Sequence, residues 1–177
     1  MVKQEIVWVF GQSAAGKASF IEAVTKQAAV RHALGWTDRV VAPCTVSLTY
    51  VAQSFYDAIR EKRVQILDEA PVLLQTHDIV LIKWQYEDST SGRIAKLQQL
   101  LPDAYHRIIL LSLSHEENAA RMYTKPWWDE SWDIKTFIDE EIHTINIFLD
   151  KTALPVTIVD SSAHGNYQII KNQSRLH

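Results

Sequence analysis

Nine consecutive residues near the start of the chain carry the most legible chemistry. They are Gly11, Gln12, Ser13, Ala14, Ala15, Gly16, Lys17, Ala18 and Ser19, set between a short apolar run and a stretch with helical apolar spacing. In the Gly-x4-Gly-Lys pattern, small residues turn backbone N–H groups inward around a phosphate. The helix that follows adds partial positive charge, and the lysine reaches the β and γ phosphates. All nine are therefore assigned to binding a polyphosphate, and Lys17 also to catalysis. The plainer alternative, a glycine-bearing turn with an exposed lysine, leaves the strand before it and the helix after it as coincidence. The Mg²⁺-binding hydroxyl that often follows the lysine directly is replaced by Ala18. The hydroxyl comes one place later, so Ser19 is assigned to the α-phosphate or the metal shell.

Phosphoryl chemistry also calls for an acid that holds Mg²⁺ or orients an acceptor. After Ala42 the chain reads Pro43, Cys44, Thr45, Val46, Ser47, with no acid. Further on comes Lys83, Trp84, Gln85, Tyr86, Glu87, Asp88. Asp88 is assigned as the metal carboxylate, with Glu87 as its alternative and Gln85 as a group to position water or a hydroxyl. Lys83 and Arg93 suit an anionic acceptor. A solvated acidic turn and a snorkelling lysine are the plain structural readings of the same residues. A second place for the acid is Val64 to Glu69, which looks like a strand ending in a metal-binding Asp68 and a water-activating Glu69. The stretch from Asp68 to Asp78 is shorter than the roughly dozen residues a parallel crossover needs, so helix fits better there. The histidines (His 7) show no metal-ligand spacing. Cys44 sits near the acceptor side, although a buried structural cysteine is the commoner situation.

These groups need a scaffold, and the apolar pattern supplies one. Gln4–Phe10, Arg39–Ala42, Ile79–Ile82, Arg107–Leu113 and Val156–Val159 are short, β-branched, apolar runs without alternation. Such runs predict strands buried on both faces of a parallel sheet. Pro43 is expected to stop the second. Between them lie helical patterns over Lys17–Val30, Ser54–Gln75, Ser91–Leu101, Ser114–Tyr123 and Ile134–Leu149. Pro71 is expected to break the second helix, with Asp68 capping its later half. Phe55, Ile59, Ile66 and Leu67 are its candidate core positions. Ser114 should cap its helix, with Glu116 and Glu117 in the first turn. The tail from Asn172 is polar and expected to fray. Strand and helix alternation predicts a three-layer α/β/α sandwich around a mostly parallel five-stranded sheet. Ligands then bind at the carboxyl ends of the strands, just after Phe10, Ala42, Ile82, Leu113 and Val159.

The loop's order, Gly-Lys-small-Ser, resembles the loops of adenylate and guanylate kinases and of ribose bisphosphokinases. Element order across nearly the whole chain resembles the small nucleoside-monophosphate-kinase-like P-loop kinases. In that group the fourth strand leads to a helix with Glu-x-x-x-x-Arg and then a lid. Here Leu110 to Leu113 leads to Glu116, Glu117 and Arg121. The resemblance implies that Arg121 stacks on the base or approaches the phosphates. Shikimate-kinase-like members continue with Arg-Pro and two apolar residues, and Lys125, Pro126, Trp127, Trp128 stand here. It implies a catalytic charge at Lys125 and a lid around 123–132, where Trp127, Trp128 and Trp132 exclude water or simply pack the segment against the body. By the same analogy Asp160, Ser161 and Ser162 lie where the backbone wraps the adenine.

Composition sets the remaining bounds. The chain has 177 residues, 47% hydrophobic and 22% charged, ordinary globular proportions for a single domain over 1–177. One cysteine excludes an intrachain disulfide framework and fits a reducing compartment. A net charge of -3 gives no broad basic footprint for duplex nucleic acid. Nothing approaches the ~20 apolar residues of a membrane span, and a cytoplasmic protein is expected. No Asn/Thr-Lys-x-Asp segment follows the fourth strand, which argues against a guanine switch. The expected function is a kinase that takes ATP with Mg²⁺ and transfers the γ-phosphoryl group to a small-molecule acceptor, namely a nucleotide, a sugar or another metabolite. The alternative is a nucleotide-binding regulatory or interaction module, or a weak NTPase.

Overall fold

The computed structural model describes residues 3–44, 66–84, 90–126, 128–163, 166–170 and 176. Among these residues six strands form one sheet: β1 (Glu5–Gly11), β2 (Val41–Cys44), β3 (Ile79–Lys83), β4 (Tyr105–Ser112), β5 (Val156–Asp160) and β6 (Gln168–Ile169). Their order is β2-β3-β1-β4-β5-β6. The first five strands run parallel, and β6 pairs antiparallel with β5. The expected five-stranded sheet thus gains a sixth, two-residue strand, too short to show an apolar pattern in sequence.

Helices cover both faces, which makes the three layers. Along β1, Val7 and Val9 face α1 (Lys17–Lys26) and α2 (Ala28–Ala33), with Phe20, Val24 and Val30 buried beside them. Ile6, Trp8 and Phe10 point the other way. They pack with the helix over 66–74 (α3), α4 (Thr90–Leu100) and α6 (Ile134–Lys151). The period-2 alternation of a strand therefore divides one apolar run between two cores. Between β4 and α6 lies α5 (His115–Met122). Ser114 caps α5 in a capping box with Glu117, as its sequence predicts. On α6, Ile138, Ile142, Ile145 and Phe148 form the buried stripe.

Several expectations need correction. Helix does not run unbroken from Lys17 to Val30. Gln27 is extended (φ -113°, ψ 114°) and separates α1 from α2. Arg31 makes the break tolerable by donating from Nη1 to the carbonyls of Val24 and Thr25 at 2.9 and 3.0 Å, satisfying the end of α1. Pro43 does not stop β2 but lies within it, in register with Leu81. Because β2 is a border strand, a proline there need not break a ladder bond.

Pro71 does not break α3, and Asp68 lies inside the helix rather than capping it. A helix-interior proline costs about 3 kcal/mol, and burying one large aliphatic side chain contributes about 1.5–3 kcal/mol. With Ile66, Leu67, Ala70 and Leu74 all buried, the helical arrangement wins. The same helix overturns the strand reading of Asp68 and Glu69. The tail is not wholly frayed. Leu176 is buried in the core and exchanges backbone bonds with the Asn146 amide at 3.0 and 3.1 Å. Phe55, Ile59 and the rest of 45–65 lie outside the described residues.

Candidate functional site

The site grows from the carboxyl end of β1. The strand is buried through Gly11, and the chain then reverses over Gln12–Gly16 into α1. Two residues of the turn have left-handed backbones, Ala14 (φ 60°) and Gly16 (φ 86°). Gly16 adopts this conformation without the Cβ penalty that Ala14 bears. At Gly11 the constraint is space, because a Cβ there would lie 3.1 Å from both Leu111 O and Ala15 Cβ. The strand can lie against β4 and turn into the loop only without a side chain.

Lys17 begins α1 and folds back into this turn. Its Nζ donates to the carbonyls of Gly11 and Gln12, each at 2.8 Å, and the residue is only 7% exposed. Burial is the main reason its pKa falls from 10.5 to about 8. The negative charge of Glu141 opposes the fall and the positive charge of Lys83 adds to it. Beside it, Gln12 is 1% exposed, and among the described residues neither end of its side-chain amide has a hydrogen-bond partner. An unsatisfied buried amide costs free energy that a ligand bonded to it would recover.

Ser13 is held from two helices. Its N–H donates to Glu141 Oε2 at 2.8 Å and its Oγ to Glu141 Oε1 at 2.6 Å. Its carbonyl accepts from Asn118 Nδ2 at 2.8 Å. Asn118 on α5 is fully buried, and Glu141 is half-buried on α6. Sequence reasoning missed both. Glu141 stands 128 positions from Ser13, on the polar side of an amphipathic pattern, where an acid reads as solvated surface. Ser19, in the first turn of α1, is half-buried, and Ala18 is exposed.

Arg121 spans the loop and the end of the fifth strand, two places the sequence singled out. A Cβ added at Gly16 would lie 3.4 Å from its Nη1. Its Nη2 donates to the carbonyls of Ser161 and Ser162 at 2.8 and 2.9 Å. Those carbonyls are positioned by Ser161, whose N–H and Oγ both donate to Ser112 O at the end of β4. Lys125 follows α5 closely and is half-buried, its N–H on Met122 O at 2.9 Å. Among the described residues no hydrogen bond joins its ammonium to the loop. In the 123–132 segment, Trp128 meets Tyr123, Trp132 and Phe137 edge-on, with ring centroids 6.2, 5.5 and 5.7 Å away. Since Phe137 belongs to α6, Trp128 and Trp132 pack the segment on the body, the plainer of the two expectations. Trp127 lies outside the described residues.

Among the described residues, three features suit a polyphosphate: an inward-turned loop, a buried ammonium bonded to two carbonyls, and an orphaned amide on Gln12. For Mg²⁺, the described residues contain no cluster of three or more His, Cys, Asp or Glu able to hold a metal. Mg²⁺ commonly keeps several waters and takes one or two protein oxygens plus the phosphates, so the hydroxyl of Ser19 is compatible with it. Gln85, Glu87 and Asp88 lie outside the described residues. Lys83 ends β3, exposed, and in register with Val9. Cys44 is buried in the core, as the plainer reading had it.

A parallel sheet in this order, with the Gly-Lys turn after its central strand β1, is the P-loop kinase fold. Solved structures agree. The chain resembles a shikimate kinase from Acinetobacter baumannii in complex with shikimate (12% identity, 88% of this chain and 83% of that one, TM-score 0.54). It resembles an unliganded sugar kinase from Janibacter sp. HTCC2649 (9% identity, 92% and 88%, TM-score 0.52). It also resembles a putative kinase from Chloroflexus aurantiacus (14% identity, 92% and 87%, TM-score 0.52). At such identities the likeness establishes the fold. No family model matches the chain, and no curated protein matches it in sequence. Among the described residues no helix is long and apolar enough to cross a membrane.

Proposed function

We propose that the chain binds ATP with Mg²⁺ at the Gly11–Ser19 loop and transfers the γ-phosphoryl group to a small hydroxyl or phosphate acceptor, a nucleotide, a sugar or another metabolite. The observation that carries this reading is the ammonium of Lys17, buried inside the turn at the carboxyl end of the central strand and bonded there to the carbonyls of Gly11 and Gln12. The loop amides and Lys17 bind the β and γ phosphates. Arg121 brings its guanidinium to the loop from the side of Ser161 and Ser162, where a base would lie. Lys125 belongs to a lid over 123–132 that carries positive charge toward the transferring group. The acceptor is assigned to the β2 and β3 side, near Lys83 and Arg93. In this arrangement the protein acts by positioning and by positive charge already in place, which is where phosphoryl transfer gains most. Mg²⁺, when bound, neutralises charge on the phosphate oxygens. Ser19 and the carboxylate of Asp88 are the groups assigned to hold it. The cytoplasm, where ATP is abundant and a lone cysteine stays reduced, is the setting this function requires.

Thermal shift with ATP and GTP, each with and without Mg²⁺, tests binding and base preference. Product formation over a panel of nucleoside, sugar and organic-acid acceptors tests transfer. The second reading, a nucleotide-binding module without efficient transfer, draws support from Ala18 in place of the usual hydroxyl and from the carboxylate of Glu141 on a loop amide. Stabilisation by nucleotide with no product from any acceptor would select it. No stabilisation by any nucleotide would overturn both.

A further inference from the structure

A loop that binds phosphate presents amide hydrogens to an anion, and here one of those hydrogens is already taken by an anion. Glu141 receives both the N–H and the Oγ–H of Ser13, at 2.8 and 2.6 Å. The place within the loop matters. Lys17 Nζ rests on the carbonyls of Gly11 and Gln12, next to Ser13. In such loops the lysine serves the β and γ phosphates, so Ser13 stands toward the terminal-phosphate end. Ser13 is also braced by Asn118, which donates to its carbonyl.

We infer that Glu141 is a specificity-determining residue: its carboxylate competes with the terminal phosphate for Ser13, so the loop accepts a nucleoside diphosphate with Glu141 in place and a triphosphate only when Glu141 gives way. This rests on the nucleotide-binding reading above. Two anions at contact distance in a partly buried site repel strongly, so a terminal phosphate on Ser13 requires the Glu141 carboxylate to withdraw. The contact therefore sets the balance between ATP and ADP without touching the base. It also leaves Lys17 with a nearby negative charge when no phosphate is bound.

The test is calorimetric titration of ATP and of ADP, each with Mg²⁺, into the wild-type protein, Glu141→Gln and Ser13→Ala. Glu141→Gln keeps the shape and removes the charge, and should bind ATP about tenfold more tightly with a clearly smaller gain for ADP. Ser13→Ala removes the hydroxyl donor but keeps the N–H, and should move ATP affinity the same way by less. Far-UV circular dichroism of each variant without ligand checks folding. If Glu141→Gln does not fold, Ser13→Ala decides by the same criterion. If Glu141 merely props the loop open, Glu141→Gln binds ATP equally or more weakly, and the inference falls while the nucleotide-binding reading stands. If no form binds either nucleotide, that reading falls and takes the inference with it.

Discussion

The two ends of the sheet treat charge in opposite ways. At the amino end, Glu5 accepts from Arg39 Nη1 at 2.9 Å and forms an ion pair with Arg107 Nε at 3.1 Å. Arg39 also donates through Nη2 to the carbonyls of Lys3 and Asp78, and Arg107 lies over the ring of Trp36, 4.7 Å from its centroid. The carboxylate of Asp78 takes the N–H of Val40. Charges there meet charges. At the carboxyl end, among the described residues, the ammonium of Lys17 donates to two carbonyls, the carboxylate of Glu141 takes an amide and a hydroxyl of Ser13, and the buried Gln12 amide has no hydrogen-bond partner. One end is tied by ion pairs around a strand carboxylate, and the other gathers its charged groups around a backbone turn.

Lys17→Ala should break the contrast most. The thermal shift produced by ATP with Mg²⁺ should vanish, with affinity reduced about 100-fold, while circular dichroism of the empty protein stays native. Glu5→Gln should do the reverse. It leaves two arginines without their shared carboxylate and should lower unfolding free energy by about 2–3 kcal/mol in urea titrations, with the ATP-induced shift retained. Loss of the ATP response in that variant would mean the two ends are coupled.

Arg121→Ala should weaken ATP about tenfold, and lysine should restore little. Reaching two carbonyls and the loop at once takes a planar fork that an ammonium lacks.

A last effect concerns protons. With Lys17 held at about 8 against 10.5 in the unfolded chain, the unfolded state binds more protons between those values. Stability of the empty protein should therefore rise from pH 8 toward 10.5, worth about 3 kcal/mol in full, and denaturation of Lys17→Ala should lack that rise. A bound phosphate raises the lysine's pKa again. ATP binding at pH 8 should then take up about half a proton, visible as a calorimetric enthalpy that changes with the buffer's ionisation heat.

Much of the molecule was legible because each feature was local. Strands buried on both faces must be apolar without alternation, so Ile6–Phe10 and Ile79–Ile82 announced themselves, and the Gly-Lys turn needed only nine adjacent residues. Arg121 was marked through the resemblance of its helix to the Glu-x-x-x-x-Arg pattern, and its bonds to the carbonyls of Ser161 and Ser162 join two segments the sequence had marked separately. What escaped was settled at a distance or by a sum. Nothing near Gln27 signals a break, since the compensating guanidinium of Arg31 folds back from the following helix. Pro71 read as a breaker because its local cost is visible and the burial offsetting it belongs to other elements. Glu141 and Asn118 act on Ser13 across 128 and 105 positions, and no periodicity connects them.

Pro43 has one more effect, on what the sheet can do with its neighbours. β6 finishes one margin with a brief reversed strand, while the β2 margin ends on a ladder with a missing rung. A second chain trying to extend the sheet there would find no hydrogen to share at that step. A substitution that replaced the ring with an ordinary residue would restore the rung, and with it a template for unwanted fibre-like growth.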